Sequence, residues 1–112
     1  MSQVPETIVL AQEMYKAKNE LRQAKNKLPD LGVQYAEAER AYRMALHREI
    51  MRLKAEDYKV TIIGDVARGA VADLKFERDK AKEIYRSAVK YVDVTETEIS
   101  VLQSINKRHD NI

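Results

Sequence analysis

The chain has 112 residues, of which 34% are charged and 45% hydrophobic, with only 3 Gly, 2 Pro and no Cys. So few turn-forming residues argue against an all-β fold, and the lack of cysteine excludes disulfides and thiolate metal sites. Lys plus Arg (20) nearly balance Asp plus Glu (18), so the net charge of +2 does not by itself indicate nucleic-acid binding. The composition is typical of long helices, and the length predicts a single helical domain over residues 1–112.

The first predicted element is a helix over about residues 5–56. Apolar residues recur alternately every four and three positions, which is the repeat of a coiled-coil seam. The members of this first seam are Leu10, Met14, Ala17, Leu21, Ala24, Leu28, Leu31, Tyr35, Ala38, Tyr42 and Ala45. Pro29 interrupts the series, yet the repeat keeps its phase across residues 29–32. The sequence therefore leaves open a kinked continuous helix or a true break, and hence two or three helices.

A connector over about residues 57–69 follows, because the helical periodicity lapses there. Gly64 and Gly69 are expected to permit backbone turns, with room for one helical turn that Thr61 would cap. Apolar side chains in such a segment either cap a helical core or engage a partner, and capping is the expected role of Ile62 and Val66. The candidate partner-binding residues of this segment are Tyr58, Ile62, Ile63 and Arg68, of which the tyrosine and the arginine are types favoured at binding hot spots.

A second helix is predicted over about residues 70–108. Its seam has the same alternating spacing and consists of Leu74, Arg78, Ala81, Tyr85, Ala88, Val92, Thr95, Ile99 and Leu102. Arg78 and Thr95 are its polar members. If the chain folds back near residues 63 and 64, the opposite charges that face one another are Arg48 with Asp79, Arg43 with Glu83, and Glu37 with Lys90.

These elements predict an all-α fold, a long antiparallel coiled-coil helical hairpin. Two helices with many seam alanines bury little area, and the second helix carries further apolar residues away from its seam, namely Phe76, Ile84, Val89, Tyr91, Val94, Val101 and Ile105. We therefore expect a homodimer that completes a bundle. The predicted register also leaves Ile8, Val9 and Leu10 uncovered, which makes Ile8 and Val9 further candidate partner-binding residues.

Catalytic, metal and cofactor patterns are not found in the sequence. The glycine spacing of residues 64–69 lacks the Lys and Ser or Thr of a phosphate-binding loop, and neither His47 nor His109 belongs to a metal-binding pattern. We therefore predict no enzyme activity and no cofactor. A run of basic residues remains as a candidate nucleic-acid surface: Lys16, Lys18, Arg22, Lys25 and Lys27. No apolar run is long enough to span a membrane and the first residues lack a signal-peptide pattern, so we expect a soluble, intracellular protein.

Four segments carry a resemblance to a known group of proteins: residues 41–45, 60–69, 71–79 and 102–105, with Asp65-Val66-Ala67-Arg68-Gly69 the most specific. Over about residues 35–106 the chain resembles small helical accessory proteins of phages and prophages of Gram-positive bacteria. This resemblance implies a protein that acts in the bacterial cytoplasm on a host or phage protein. The predicted function is a non-enzymatic interaction module that occludes or scaffolds its partner, such as a host defence or DNA-processing enzyme. The alternative is a nucleic-acid-binding accessory factor in phage DNA recombination, replication or regulation.

Overall fold

The computed structural model describes the backbone of residues 4–110 and the side chains of residues 6–108. It has three α-helices, α1 (Val4–Ala55), α2 (Val60–Ala70) and α3 (Ala72–Asp110), and residues 4–110 contain no strand. The protein is the all-α helical hairpin that the sequence predicts, with α1 and α3 as its long arms. Contacts divide the chain into two compact units, a first of Met1–Pro29 with Arg86–Ile112 and a second of Asp30–Tyr85.

The first long helix continues through its internal proline. α1 is helical from Val4 to Ala55 with Pro29 inside it, so the alternative of a true break is wrong. All eleven predicted members of its seam are buried or half-buried. Burial of one continuous apolar stripe therefore outweighs the local cost of a missing backbone hydrogen bond at the proline.

The seam of the second long helix is also confirmed, except at its first member. Leu74 is exposed, whereas the other eight residues are buried or half-buried. Thr95 is only 2% exposed, and its hydroxyl donates a hydrogen bond to the Tyr91 carbonyl at 2.8 Å. This intrahelical bond satisfies a polar group that would otherwise be costly to bury.

The connector differs from the sequence prediction because most of it is helical. α2 has 11 residues, and its N-cap is Lys59 rather than Thr61. Gly64 and Gly69 lie inside this helix, and no described glycine has a positive φ, so neither provides a turn. The turn is made by Asp57, whose φ is 61°, a left-handed conformation that aspartate tolerates better than most residues.

Backbone hydrogen bonds show how this turn ends α1. The amide of Tyr58 donates to the Leu53 carbonyl at 3.1 Å, and that of Asp57 donates to the Lys54 carbonyl at 3.2 Å. This pair of bonds is a Schellman motif, which satisfies carbonyls at the end of a helix. The motif usually contains glycine at the left-handed position, and because aspartate stands there instead, the sequence carries no clear sign of it.

The second unit has its hydrophobic core where α2 packs on the end of α1. Leu53 is fully buried and clusters with Ile63 and Ala67, and Leu46 and Ile50 pack against them half-buried. Ile63 and Ala67 are four residues apart, so they lie on the same side of α2. Ile63 is 5% exposed and is therefore a core residue, whereas the sequence selects it as a partner-binding residue.

The pairing of charges between the arms is shifted from the predicted register. In the second unit Glu39 pairs with Arg78, and in the first unit Lys25 pairs with Glu96. Their residue numbers add up to 117 and 121, against the predicted value of about 127. The register differs because the chain folds back at the turn of residues 56–59, where α1 ends. Residues 63 and 64, where the sequence predicts the fold-back, lie inside α2.

Candidate interaction surfaces

One exposed surface lies on the connector in the second unit. We call Tyr58, Ile62, Val66 and Arg68, all of which are exposed, the connector surface. At 100° per residue, Arg68 lies about 120–160° around α2 from Ile62 and Val66. Ile62 and Val66 are four residues apart and share a flank of α2, whose other side carries the buried Ile63. The sequence predicts that Ile62 and Val66 cap the core, but in the structure they do not. Both side chains are instead partly exposed to solvent.

The arginine of this surface is held along its own helix. Arg68 Nη2 donates to Asp65 Oδ1 at 2.6 Å, and the same guanidinium lies over Gly64, where an added Cβ would be 3.2 Å from Nη1. The glycine thus leaves room for the side chain to lie flat against α2. Both charged groups are largely exposed, so this ion pair contributes little to stability and remains available to a partner.

The N-terminal candidates lie in the first unit. Ile8 and Val9 are about half exposed, as the sequence predicts. Leu10 is half-buried and occupies its seam position, so the predicted uncovered segment is shorter than expected. The shifted register accounts for this difference, because it places the end of α3 closer to the start of α1 than the predicted register does.

The five basic residues of α1 do not form one face. At 100° per residue, Lys18, Arg22 and Lys25 lie on one side of the seam, whereas Lys16 and Lys27 lie on the other. Lys25 also pairs with Glu96 of α3 at 3.7 Å. A phosphate backbone tracking this helix would therefore meet at most three of the five cations at once.

A polar cluster interrupts the seam in the second unit. Arg78 occupies a seam position, and its Nη1 donates to Glu39 Oε2 at 2.8 Å while its Nε donates to Asp79 Oδ1 at 2.7 Å. Its guanidinium lies 4.8 Å from the ring centroid of Tyr42. The seam thus accommodates a charge by pairing it with a carboxylate from the opposite arm and stacking it on an aromatic ring.

The carboxylates of this cluster are held in the charged state. Hydrogen bonds from Arg43 and Arg78, in that order, lower the pKa of Glu39 from its ordinary 4.5. Those from Lys75 and Arg78 likewise lower the pKa of Asp79. The arrangement suits the fixing of one helix against another, because an arginine between two carboxylates has defined geometry.

We expect the thermal stability to fall in acid partly through Glu39. Its folded pKa is depressed, so the stabilisation is present above the unfolded value near 4.5 and is lost as the pH falls through the lower folded value. In Glu39→Gln, the melting temperature should decline less between about pH 5 and pH 3 than in the unchanged protein. Glu37→Gln, an exposed neighbour on α1, is the control. Equal acid sensitivity of Glu39→Gln and the unchanged protein would contradict the prediction.

An open groove runs along α3 in the first unit. Its volume is about 730 Å³, and most of its lining comes from α3, with Glu13 of α1 at the edge. The lining residues from α3 are Arg86, Val89, Lys90, Asp93, Val94, Thr97, Glu98, Val101 and Leu102. Several of the apolar residues that the sequence places away from the seam are therefore exposed together on one side of this helix. We call this surface the α3 groove.

Metal-binding geometry is not found among the described residues. No three His, Cys, Asp or Glu side chains within residues 6–108 are grouped to hold a metal ion. His47 is exposed, and the side chain of His109 lies outside the described residues. The helices of the described part of the chain include none with the length and apolarity needed to span a bilayer.

Comparison of the chain with protein-family models, with curated proteins and with solved structures found no match. The function is therefore argued from the surfaces described above.

Proposed function

We propose that this chain is a non-enzymatic protein-interaction module that occludes or scaffolds a partner protein through the connector surface. The observation that carries the proposal is that the apolar residues of α2 extend beyond its buried side onto an exposed flank. Ile63 and Ala67 are buried in the core, whereas Ile62 and Val66 are exposed. Exposed apolar side chains next to the buried side of a helix are suited to contact with an apolar patch on another protein.

The connector surface is also held in a fixed shape. α2 is anchored by the core around Leu53, and Tyr58 lies in the hydrogen-bonded turn that ends α1. A preformed surface binds without the entropy cost of ordering a loop. Tyr58 and Arg68 supply a large amphipathic ring and a planar cation, the side chains most often found to dominate binding energy.

The partner we propose is a protein of a bacterial host or of a phage, met in the bacterial cytoplasm. The resemblance to phage and prophage accessory proteins supports this setting, and a host defence or DNA-processing enzyme is the kind of target such a module would occlude. We further propose that the chain acts as a homodimer, because the α3 groove exposes apolar residues that one hairpin leaves uncovered.

The test is capture of partners from a lysate of a Gram-positive bacterium, with the candidate then purified and its affinity measured. Tyr58→Ala with Arg68→Ala should weaken binding by at least about tenfold, since each is a hot-spot type. Tyr15→Ala with Arg40→Ala is the matched control, because it removes the same two residue types at exposed positions away from the connector surface. Equal affinities of the two double variants would refute the connector surface as the binding site.

The alternative is binding to nucleic acid through the basic residues of α1. Their division between two sides of the helix, and the pairing of Lys25 with Glu96, favour the protein partner. Binding of DNA that weakens steeply as salt is raised, with a log–log slope of several units, would instead support the alternative. We expect at most weak DNA binding at low salt, measured by fluorescence anisotropy with single- and double-stranded DNA.

A further inference from the structure

α3 carries a second heptad repeat, distinct from the seam that faces α1, and its members Val94, Glu98 and Val101 line the α3 groove. Residues spaced alternately by four and three positions share this side of the helix: Ser87, Tyr91, Val94, Glu98, Val101 and Ile105. Val94 is 46% exposed and Val101 is similarly exposed, whereas the facing seam members Val92 and Ile99 are buried. A repeat of this kind is the pattern that packs one helix along another. One stripe of α3 is thus covered by α1 and a second stripe is uncovered.

We infer that the occupant of the α3 groove is the α3 of a second copy of this chain, running antiparallel to the first. This inference rests on the proposed homodimer and specifies its interface. In the antiparallel register whose residue numbers sum to 185, Tyr91 of each copy faces Val94 of the other, and Ser87 faces Glu98. Tyr91 and Val94 therefore meet each other at the centre of the stripe, and its one carboxylate meets a hydroxyl.

Charge complementarity determines the direction. The basic lining residues, Arg86 and Lys90, lie in the N-terminal part of the groove, and the acidic ones, Asp93 and Glu98, follow them along α3. An antiparallel copy places the basic end of one groove against the acidic end of the other. A parallel copy would place each charge beside its equivalent and bring the two Glu98 carboxylates together within the stripe, which is unfavourable.

The polar groups on the stripe are compatible with this packing. The Tyr91 hydroxyl donates to Glu20 Oε2 of α1 at 3.4 Å, which holds the ring at the edge of the groove while leaving it about half exposed. Glu13 of α1 adds a further acidic group to the lining of the groove. An incoming copy therefore meets a stripe whose apolar members are bordered by charges of the opposite sign to its own.

The first test is the mass of the particle as a function of concentration, by analytical ultracentrifugation. We expect a dimer at about 100 µM chain that dissociates on dilution, and a dissociation constant at least about tenfold weaker for Val94→Asp. Val33→Asp is the matched control, because Val33 is equally accessible, at 55% exposed, and lies outside the groove. Helicity by circular dichroism checks that both variants fold. A monomer at every concentration, or equal effects of the two variants, would overturn the inference.

The second test measures direction with disulfides, since the natural chain has no cysteine. Ser87→Cys and Glu98→Cys proteins, distinguished by mass, are mixed and oxidised. The antiparallel register predicts mixed disulfides between the two variants, whereas a parallel dimer predicts like joined to like and would overturn the inference.

A charge exchange gives a third readout of the same interface. Lys90→Glu alone and Asp93→Lys alone should each weaken the dimer, and the double variant should restore it. If the double variant stays as weak as the single ones, the proposed pairing is refuted. Retention of partner binding by Val94→Asp separates this inference from the connector surface, because a failed dimer with intact capture refutes only the dimer interface.

Discussion

Replacing Leu53 with alanine should lower the free energy of unfolding by about 2–5 kcal/mol. Leu53 is fully buried and joins the end of α1 to Ile63 and Ala67 of α2, so its removal leaves a cavity between two elements. In a chain of this size, such a loss lowers the melting temperature by roughly 10 °C or more. Urea titration followed by circular dichroism measures both quantities.

The control for this prediction is a similar truncation two residues earlier. Met51 is exposed on the same helix, so Met51→Ala should change the free energy of unfolding by no more than about 0.5 kcal/mol. If Leu53→Ala and Met51→Ala destabilise the protein equally, the packing of α2 onto α1 does not contribute the stability that the structure implies. A change in urea dependence for Leu53→Ala alone would show that α2 detaches before the rest unfolds.

The hairpin was predictable because the apolar repeat that causes it is visible in the sequence. Apolar residues that recur every three and four positions select one stripe of a helix, and burial of that stripe is the dominant favourable term. For this reason even the polar seam residues were placed correctly. Arg78 and Thr95 occupy the positions that the repeat assigns to them, and each is satisfied by hydrogen bonds.

The connector was not predictable in the same way. α2 is short, contains two glycines and has no side-chain cap, so its local signals oppose a helix. It is stabilised by tertiary contact, since Ile63 and Ala67 are buried against Leu53. The turn before it uses Asp57 in a left-handed conformation in place of the usual glycine. Because the sequence predicts the fold-back at residues 63 and 64, the predicted charge pairs are displaced as well.

The candidate surfaces were only partly recoverable from sequence. Residue type identified Tyr58, Ile62 and Arg68 as exposed candidates, but it did not separate Ile62 from the buried Ile63 next to it. Only the helical phase of α2 makes that distinction, and that phase depends on where α2 begins. For the basic residues of α1, by contrast, the sequence is sufficient, because helix geometry alone places them on two sides of the helix.

Replacing Pro29 with alanine is expected to raise the free energy of unfolding by as much as about 3 kcal/mol. Pro29 is exposed inside α1, donates no hydrogen bond to the Lys25 carbonyl and crowds it with its ring. Alanine supplies the missing donor and has the highest helix propensity. The gain is reduced by the greater freedom of the unfolded chain, so a rise in melting temperature of about 10 °C is an upper value.

Gln34→Ala is the matched control. It introduces alanine at another exposed position of α1, and the residue that it replaces is already a good helix former. It should change stability by only a few tenths of a kcal/mol, since the helix propensities of glutamine and alanine are close. A larger gain for Pro29→Ala than for Gln34→Ala confirms that the seam holds α1 together against a local cost. If Pro29→Ala gives no gain, the helix already accommodates the proline without strain, and the stability of α1 does not depend on overcoming it.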